Sequence, residues 1–339
     1  MKKGFVFISI LSLFAMAFVA NKNVLFMRPK YFPQPIYNFQ KNPLTKEKIL
    51  LGRVLFYDPI LSQNNTISCA SCHTSYNSFA HTDHALSHGI NDRIGTRNAP
   101  ALMNLAWQPI FMWDGAINHF DMQSLAPISH PDEMGETIEH VVTKLQSSRL
   151  YPPLFYQAFG DSIVTGEHTL KAIAQFMLTL VSANSKYDSV QQKQTSFTAQ
   201  EESGYRLYKK NCSSCHTEPL FTNYQFKNNG LTIDTTLNDI GRVKISKNSK
   251  DSFCFKVPTL RNLDYSYPYM HDGRFKKLKD VLNHYTQDIH ISSTLAIELQ
   301  KPIQLTSNEK VDLIAFLMTL NDREFVFKKE YGFPELLRK

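Results

Sequence analysis

Apolar residues recur at helical spacing just after Thr45. In KEKILLGRVLFYD, Leu50, Leu51, Val54 and Leu55 form one stripe, and Thr45 stands where a helix N-cap belongs. Another helix is predicted from Thr198, which with Glu201 has capping-box spacing at the head of TAQEESGYRLYKK. Two strongly apolar helices are predicted as well. LKAIAQFMLTLVS starts at Leu170, and VDLIAFLMTL starts at Val311 behind a capping box of Thr306 and Glu309. Their Leu and Met stripes read as core rather than as ligands. No long alternating strand pattern appears, so the pattern predicts an all-α fold.

The polar stretches divide this helical pattern. Residues 21–44 are aromatic and proline-spotted, with Pro29, Pro33, Pro35 and Pro43, and read as an extended lead-in. ANSKYDSVQQKQTS, residues 183–196, is polar and nonperiodic and reads as a linker. It separates a first domain, residues 45–182, from a second, residues 197–325, which a tail follows at 326–339. The two halves repeat one order. Pro100 opens PALMN and Pro258 opens PTLRN. Fourteen residues after each proline an aspartate precedes a glycine, in MWDG at Met112–Gly115 and MHDG at Met270–Gly273. Each half therefore runs helix, motif, loop, proline turn, Asp-Gly turn and terminal helix. That order suits one small helical unit, duplicated.

The motif in each half carries the chemistry. CASCH, Cys69 to His73, has the two-residue cysteine spacing and the adjacent histidine of covalent c-type haem attachment, and CSSCH, Cys212 to His216, repeats it. Cys69 and Cys72, like Cys212 and Cys215, would add to the haem vinyl groups. His73 and His216 would then bind iron from one side. A thiol redox pair or half a zinc site fits poorly, since both copies end in histidine and no further paired cysteines complete a zinc set. The fifth cysteine, Cys254, reads as a small buried hydrophobe in SFCFKVP, so no structural disulfide is expected.

Composition adds little that changes this picture. The chain is 42% hydrophobic and 20% charged, as globular chains are. Its formal charge of +7 is mild for 339 residues and comes with no basic run or nucleic-acid motif, so nucleic-acid binding is not expected. Lys2 and Lys3 precede an uncharged apolar run from Phe5 to Ala20, too short for a comfortable membrane span. Residues 1–20 read as a signal peptide cleaved near Ala17 or Ala20, with an uncleaved anchor as runner-up. Export to the periplasm suits c-type haem, which is attached on the outer side of the bacterial inner membrane.

A sixth iron position decides between electron transfer, where it is filled, and chemistry, where it is open or can be opened. In the first half the candidates are His81, His84, His88, Met103 and Met112. In the second they are Met270, His271, His284 and Tyr285, among which composition alone favours Met270. Spacing does not choose among them.

The ordered signatures CASCH, RNAPALMN, FMWDG, PISHPDEM, CSSCH, FKVPTLRN and PYMHDGRF resemble the bacterial dihaem cytochrome c peroxidase family, which includes a MauG-like branch. The resemblance spans about residues 45 to 322. It implies two cytochrome c-like helical domains, each carrying one haem c, with the first haem peroxidatic. It implies that His88 is a removable distal ligand, although the local alignment needs a one-residue gap. Gln123 and Glu133 match the distal glutamine and glutamate, the amide orienting peroxide and the carboxylate relaying its proton. Trp113 would lie between the haems. One calcium ion would rest on the side chain of Asn98 and the carbonyls of Ser266 and Pro268.

One position departs from the peroxidase pattern. Tyr285 stands where peroxidases of the family carry methionine, and the MauG-like branch has tyrosine there. Met270 aligns instead with an aromatic turn position. A phenolate stabilises ferric iron, whereas methionine raises the potential. The expectation is an exported peroxidase that reduces hydrogen peroxide with electrons from a small cytochrome or copper protein. Its rivals are a MauG-like enzyme that oxidises a partner protein or small molecule, and a dihaem electron carrier without turnover. Family members are often homodimers.

Overall fold

The computed structural model describes residues 25–338, so the targeting segment expected at residues 1–20 lies outside the described residues. The first half is built on α1 (Lys46–Tyr57), α2 (Ile138–Ser147), α3 (Tyr151–Phe159) and α4 (Gly166–Leu178). A short α5 (Lys186–Gln191) follows, and the second half carries α6 (Ala199–Asn211), α7 (Leu278–Gln287) and α8 (Ser307–Met318). The chain is helical, with one small antiparallel pair, β1 (Phe226–Lys227) against β2 (Phe255–Lys256).

Local chemistry sets the helix starts. Thr45 Oγ1 accepts the Lys48 N–H at the head of α1. Thr198 with Glu201, and Thr306 with Glu309, close the two reciprocal capping boxes that the sequence spacing predicts. The terminal helix of the first half begins earlier than Leu170. Thr165 caps it by accepting the His168 N–H, a start without an apolar signal.

The two halves are built alike at their helix crossings. Gly52 of α1 lies so close to α4 that a Cβ would overlap the Ala172 carbonyl, and Gly204 of α6 stands the same way against the Asp312 carbonyl of α8. Each crossing heads its own core. In the first, Leu51, Phe56, Phe79, Phe155 and Phe176 are buried; in the second, Tyr208, Phe221, Leu313 and Phe316. Cys254 is buried too.

Polar joints tie the halves together. Arg97 holds Asp239 with two hydrogen bonds of 2.5 and 2.9 Å and reaches Asp114 at 2.8 Å. The Lys256 backbone N–H donates to the Trp113 carbonyl at 2.7 Å, stitching β2 to the Asp-Gly turn of the first half. Asp322, after α8, accepts hydrogen bonds from Ser182, Ala183 and Asn184. The C-terminal tail returns to the first half, where Tyr331 donates to the Thr179 carbonyl and accepts from the Tyr57 hydroxyl.

Two stretches without periodicity are nevertheless ordered. The lead-in packs Phe32 edge-on against Trp107, whose indole donates to the Pro33 carbonyl at 2.8 Å. The stretch 183–196 contains α5, capped by Ser185 and Asp188, and Asp188 forms a fully buried pair with Arg261. Six helical residues are too few for a period to show. Asp188 is held inside by a two-pronged guanidinium 73 residues away.

Candidate functional site

Both motifs open onto one cavity of about 690 Å³, inside the range of ligand pockets. Cys72 and His73 line it from the first half, and Cys212, Cys215 and His216 from the second. The short helix Cys69–Cys72 ends at His73, so the cysteines and the histidine leave it on one side. None of the five cysteines forms a disulfide. Burial pushes the Cys69 and Cys212 thiols up to about 12.

The two histidines are prepared in the same way, each through Nδ1. His73 Nδ1 lies 2.7 Å from the Phe79 carbonyl, and His216 Nδ1 lies 3.2 Å from the Phe221 carbonyl and 3.1 Å from that of Pro258. A carbonyl can only accept, so Nδ1 carries the hydrogen and Nε2 keeps its lone pair. Burial brings both imidazoles down to about 4, which keeps them neutral. A neutral imidazole with its second nitrogen hydrogen-bonded is a prepared iron ligand. Each donor set, two cysteines and a neutral histidine, therefore fits one haem c.

The rest of the wall also repeats. Asn104 and Asn262, which end PALMN and PTLRN, both take left-handed backbone, at φ 56° and 60°. Met112 and Met270 do so before their Asp-Gly turns, at 66° and 75°. These turns aim the methionines at polar partners. Gln123 Nε2 lies 3.7 Å from Met112 Sδ, and Asn229 Nδ2 lies 3.5 Å from Met270 Sδ.

Glu133 and Gln123 line the same cavity as His73. Burial raises the Glu133 carboxyl, with His130 opposing and Asp132 adding to the rise. Its backbone carbonyl accepts the Ile90 N–H at 2.8 Å, fixing it to the loop that follows His88. The His88 imidazole is not among the cavity-lining side chains. It pairs with Asp92 at 2.6 Å and stacks on His84, which stacks in turn on His81.

Trp113 lines the cavity where the halves meet and donates its indole N–H to the Asn98 carbonyl at 2.9 Å. Asn98 gives its amide hydrogens to the Ala85 carbonyl, so Oδ1 is the side-chain atom able to face a cation. Ser266 and Pro268 line the cavity as well. Among the described residues no three His, Cys, Asp or Glu side chains gather as a metal cluster.

In the second half Tyr285 and Met270 both line the cavity. Burial pushes the Tyr285 phenol up to about 12. Asn229, which touches Met270, opposes that rise. Asn229 and the cavity-lining Lys256 were not singled out from the sequence. Lys256 lies inside FKVPTLRN, whose order was the available signal; Asn229 had none.

Comparisons with known proteins agree with this geometry. The family model described as di-haem cytochrome c peroxidase matches residues 46–196, and that for cytochrome c matches residues 201–321. The chain is 36% identical over 307 residues to the methylamine utilization protein MauG of Methylorubrum extorquens, covering 87% of this chain and 83% of that one. It is 33% identical over 287 residues to the cytochrome c551 peroxidase of Nitrosomonas europaea, covering 82% and 81%. A solved MauG-like protein associated with microbial copper homeostasis superposes with a TM-score of 0.82 at 29% identity, covering 91% and 98%.

Proposed function

The chain belongs to the di-haem cytochrome c peroxidase family, and from that premise we propose that it reduces hydrogen peroxide to water in the cavity of its first half. Its cofactors are haem c groups, tethered through Cys69 and Cys72 and through Cys212 and Cys215, with His73 and His216 as iron ligands. Bound haem iron supplies the redox chemistry and a coordination site for peroxide.

The observation that carries this reading is Glu133, a carboxyl raised by burial on the wall that His73 shares. Cleaving the O–O bond requires a proton to move from one peroxide oxygen to the other. Glu133 takes it and delivers it to the departing oxygen, which leaves as water. A raised pKa brings the carboxyl closer to operating pH, where it can both accept and give. Gln123 orients peroxide through its amide. Two electrons and two further protons complete the conversion of one peroxide to two waters. Trp113, at the seam, passes the electrons.

The electrons come from a small cytochrome or copper protein in the periplasm, the chain being exported by residues 1–20. Among the described residues no helix is long and apolar enough to cross a membrane. His88 would ligate the first iron only after leaving its pair with Asp92, which holds it outside the cavity lining. Asn98 Oδ1 and the carbonyls of Ser266 and Pro268 would hold a calcium ion. The homodimer of the family is the assembly to test by size in solution.

A second reading has its own support. Tyr285 lines the second-half cavity near Cys212 and Cys215. A phenolate ligand there would make the second haem a poor high-potential electron acceptor, which favours a MauG-like enzyme that oxidises a partner protein or small molecule. Steady-state turnover with peroxide and reduced small cytochromes and copper proteins separates the two. Sustained donor oxidation supports the first reading. Failure with every small donor overturns it in favour of the second.

A further inference from the structure

Four Lys and Arg side chains line the cavity among the described residues: Arg97, Lys227, Lys256 and Arg261. Three are matched by carboxylates. Arg97 is held by Asp239 and Asp114, Lys227 by Glu298 at 2.8 Å, and Arg261 by Asp188. Among the described residues Lys256 forms no ion pair. Its Nζ has one hydrogen bond, to the Ile110 carbonyl at 3.0 Å. The Asp114 carboxylate acts on it electrostatically, but Arg97 already engages that carboxylate. An ammonium without a carboxylate in a low-dielectric wall is costly unless an anion joins it. Burial accordingly brings the lysine down to about 7 in the protein alone.

Its place is fixed from both sides. Lys256 sits on β2, paired across from Phe226, and its backbone N–H donates to the carbonyl of Trp113. The ammonium therefore lies at the seam between the halves. A haem c brings two propionate carboxylates into such a cavity, and these are anions that the Lys256 ammonium could pair with.

We propose that Lys256 binds a propionate carboxylate of a tethered haem at the seam and serves as the counter-ion that sets that haem's reduction potential. It is a positioning residue, since it acts through the cofactor's side chain rather than on peroxide. The inference rests on the two tethered haems and not on peroxide turnover. A positive charge near a haem favours the reduced state, so removing it lowers the potential. The charge lies on the protein side and the propionate on the cofactor side, so size alone does not replace it.

The test is spectroelectrochemical titration of the holoprotein and of K256Q, K256M and K256R, each checked for two covalent haems. In K256Q and K256M the reduction equilibrium of one haem is expected to weaken about tenfold, a fall of about 59 mV for one electron, while K256R stays near wild type. If K256Q and K256M do not load both haems and K256R does, the same need for a cation is shown. A change below threefold in both haems of K256Q or K256M overturns the proposal. So does an equal fall, or an equal failure to load haem, in K256R, because the role would then be one of shape. None of these readings depends on peroxidase activity, so they separate this proposal from the one above.

Discussion

The indole N–H of Trp113 donates to the carbonyl of Asn98 at 2.9 Å, while the backbone carbonyl of the same tryptophan accepts the N–H of Lys256. One residue thereby joins the first-half loop, the Asp-Gly turn and the second-half strand. W113F keeps the backbone bond and loses the indole one. Leaving the Asn98 carbonyl unpaired costs about 1–2 kcal/mol, read by thermal unfolding. Electron exchange between the haems should slow as well, measured by stopped-flow absorbance after mixing the half-reduced protein with peroxide. Wild-type rates in W113F would remove Trp113 from the path.

The helix crossings predict a second effect. G204A forces a methyl into the Asp312 carbonyl, so α6 and α8 must part. Overpacking of this kind costs about 2–3 kcal/mol. G160A meets nothing within 4 Å and strains only its left-handed backbone at φ 79°, for about 1 kcal/mol. Melting curves of the two variants should rank in that order.

Asp239 predicts a pH window. Burial would raise its carboxyl, but the Arg97 guanidinium, the Gly241 N–H and Lys244 outweigh that and hold it at about 2, against an ordinary value near 3.8. The folded pKa is depressed, so the stabilisation is present above the unfolded value and is lost as pH falls through about 2. The stability difference between wild type and D239N should hold at about 1–2 kcal/mol above pH 5, allowing for solvent screening, and shrink between about pH 4 and pH 2. A difference that does not change with pH would mean that the Arg97 joint contributes through shape alone.

Tyr285 and Met270 share a wall and a neighbour in Asn229. If the phenolate binds iron, Y285F raises the potential of the second haem and changes its low-temperature EPR signal, while M270L leaves both near wild type. The opposite pattern would assign the methionine.

Much of this architecture is legible in sequence because it is written locally. Capping boxes span three residues, CASCH spans five, and the duplicated proline and Asp-Gly turns keep a fixed spacing. The left-handed asparagines that close PALMN and PTLRN follow from the repeat. What is not legible depends on partners far along the chain. Asp239 lies 142 residues from Arg97, and Asp188 lies 73 from Arg261, so neither pair has a local signature. Helix α5 is the intermediate case. SKYD has capping-box spacing, Ser185 with Asp188, but no apolar period follows to confirm a helix. Lys256 lies inside FKVPTLRN, yet its lack of a carboxylate emerges only in the fold, where the other three cations are matched.

Peroxide chemistry beside His73 stands or falls with the Glu133 carboxyl. Its pKa is raised by burial, so kcat/KM for peroxide should fall as pH drops through a value above the ordinary 4.5, where the base form is lost. The decisive measurement is peroxide turnover by E133Q, with two covalent haems verified in the same sample. The account predicts a loss of about 100-fold or more in kcat/KM and disappearance of that acid limb. Undiminished turnover in E133Q, with the limb intact, would contradict it.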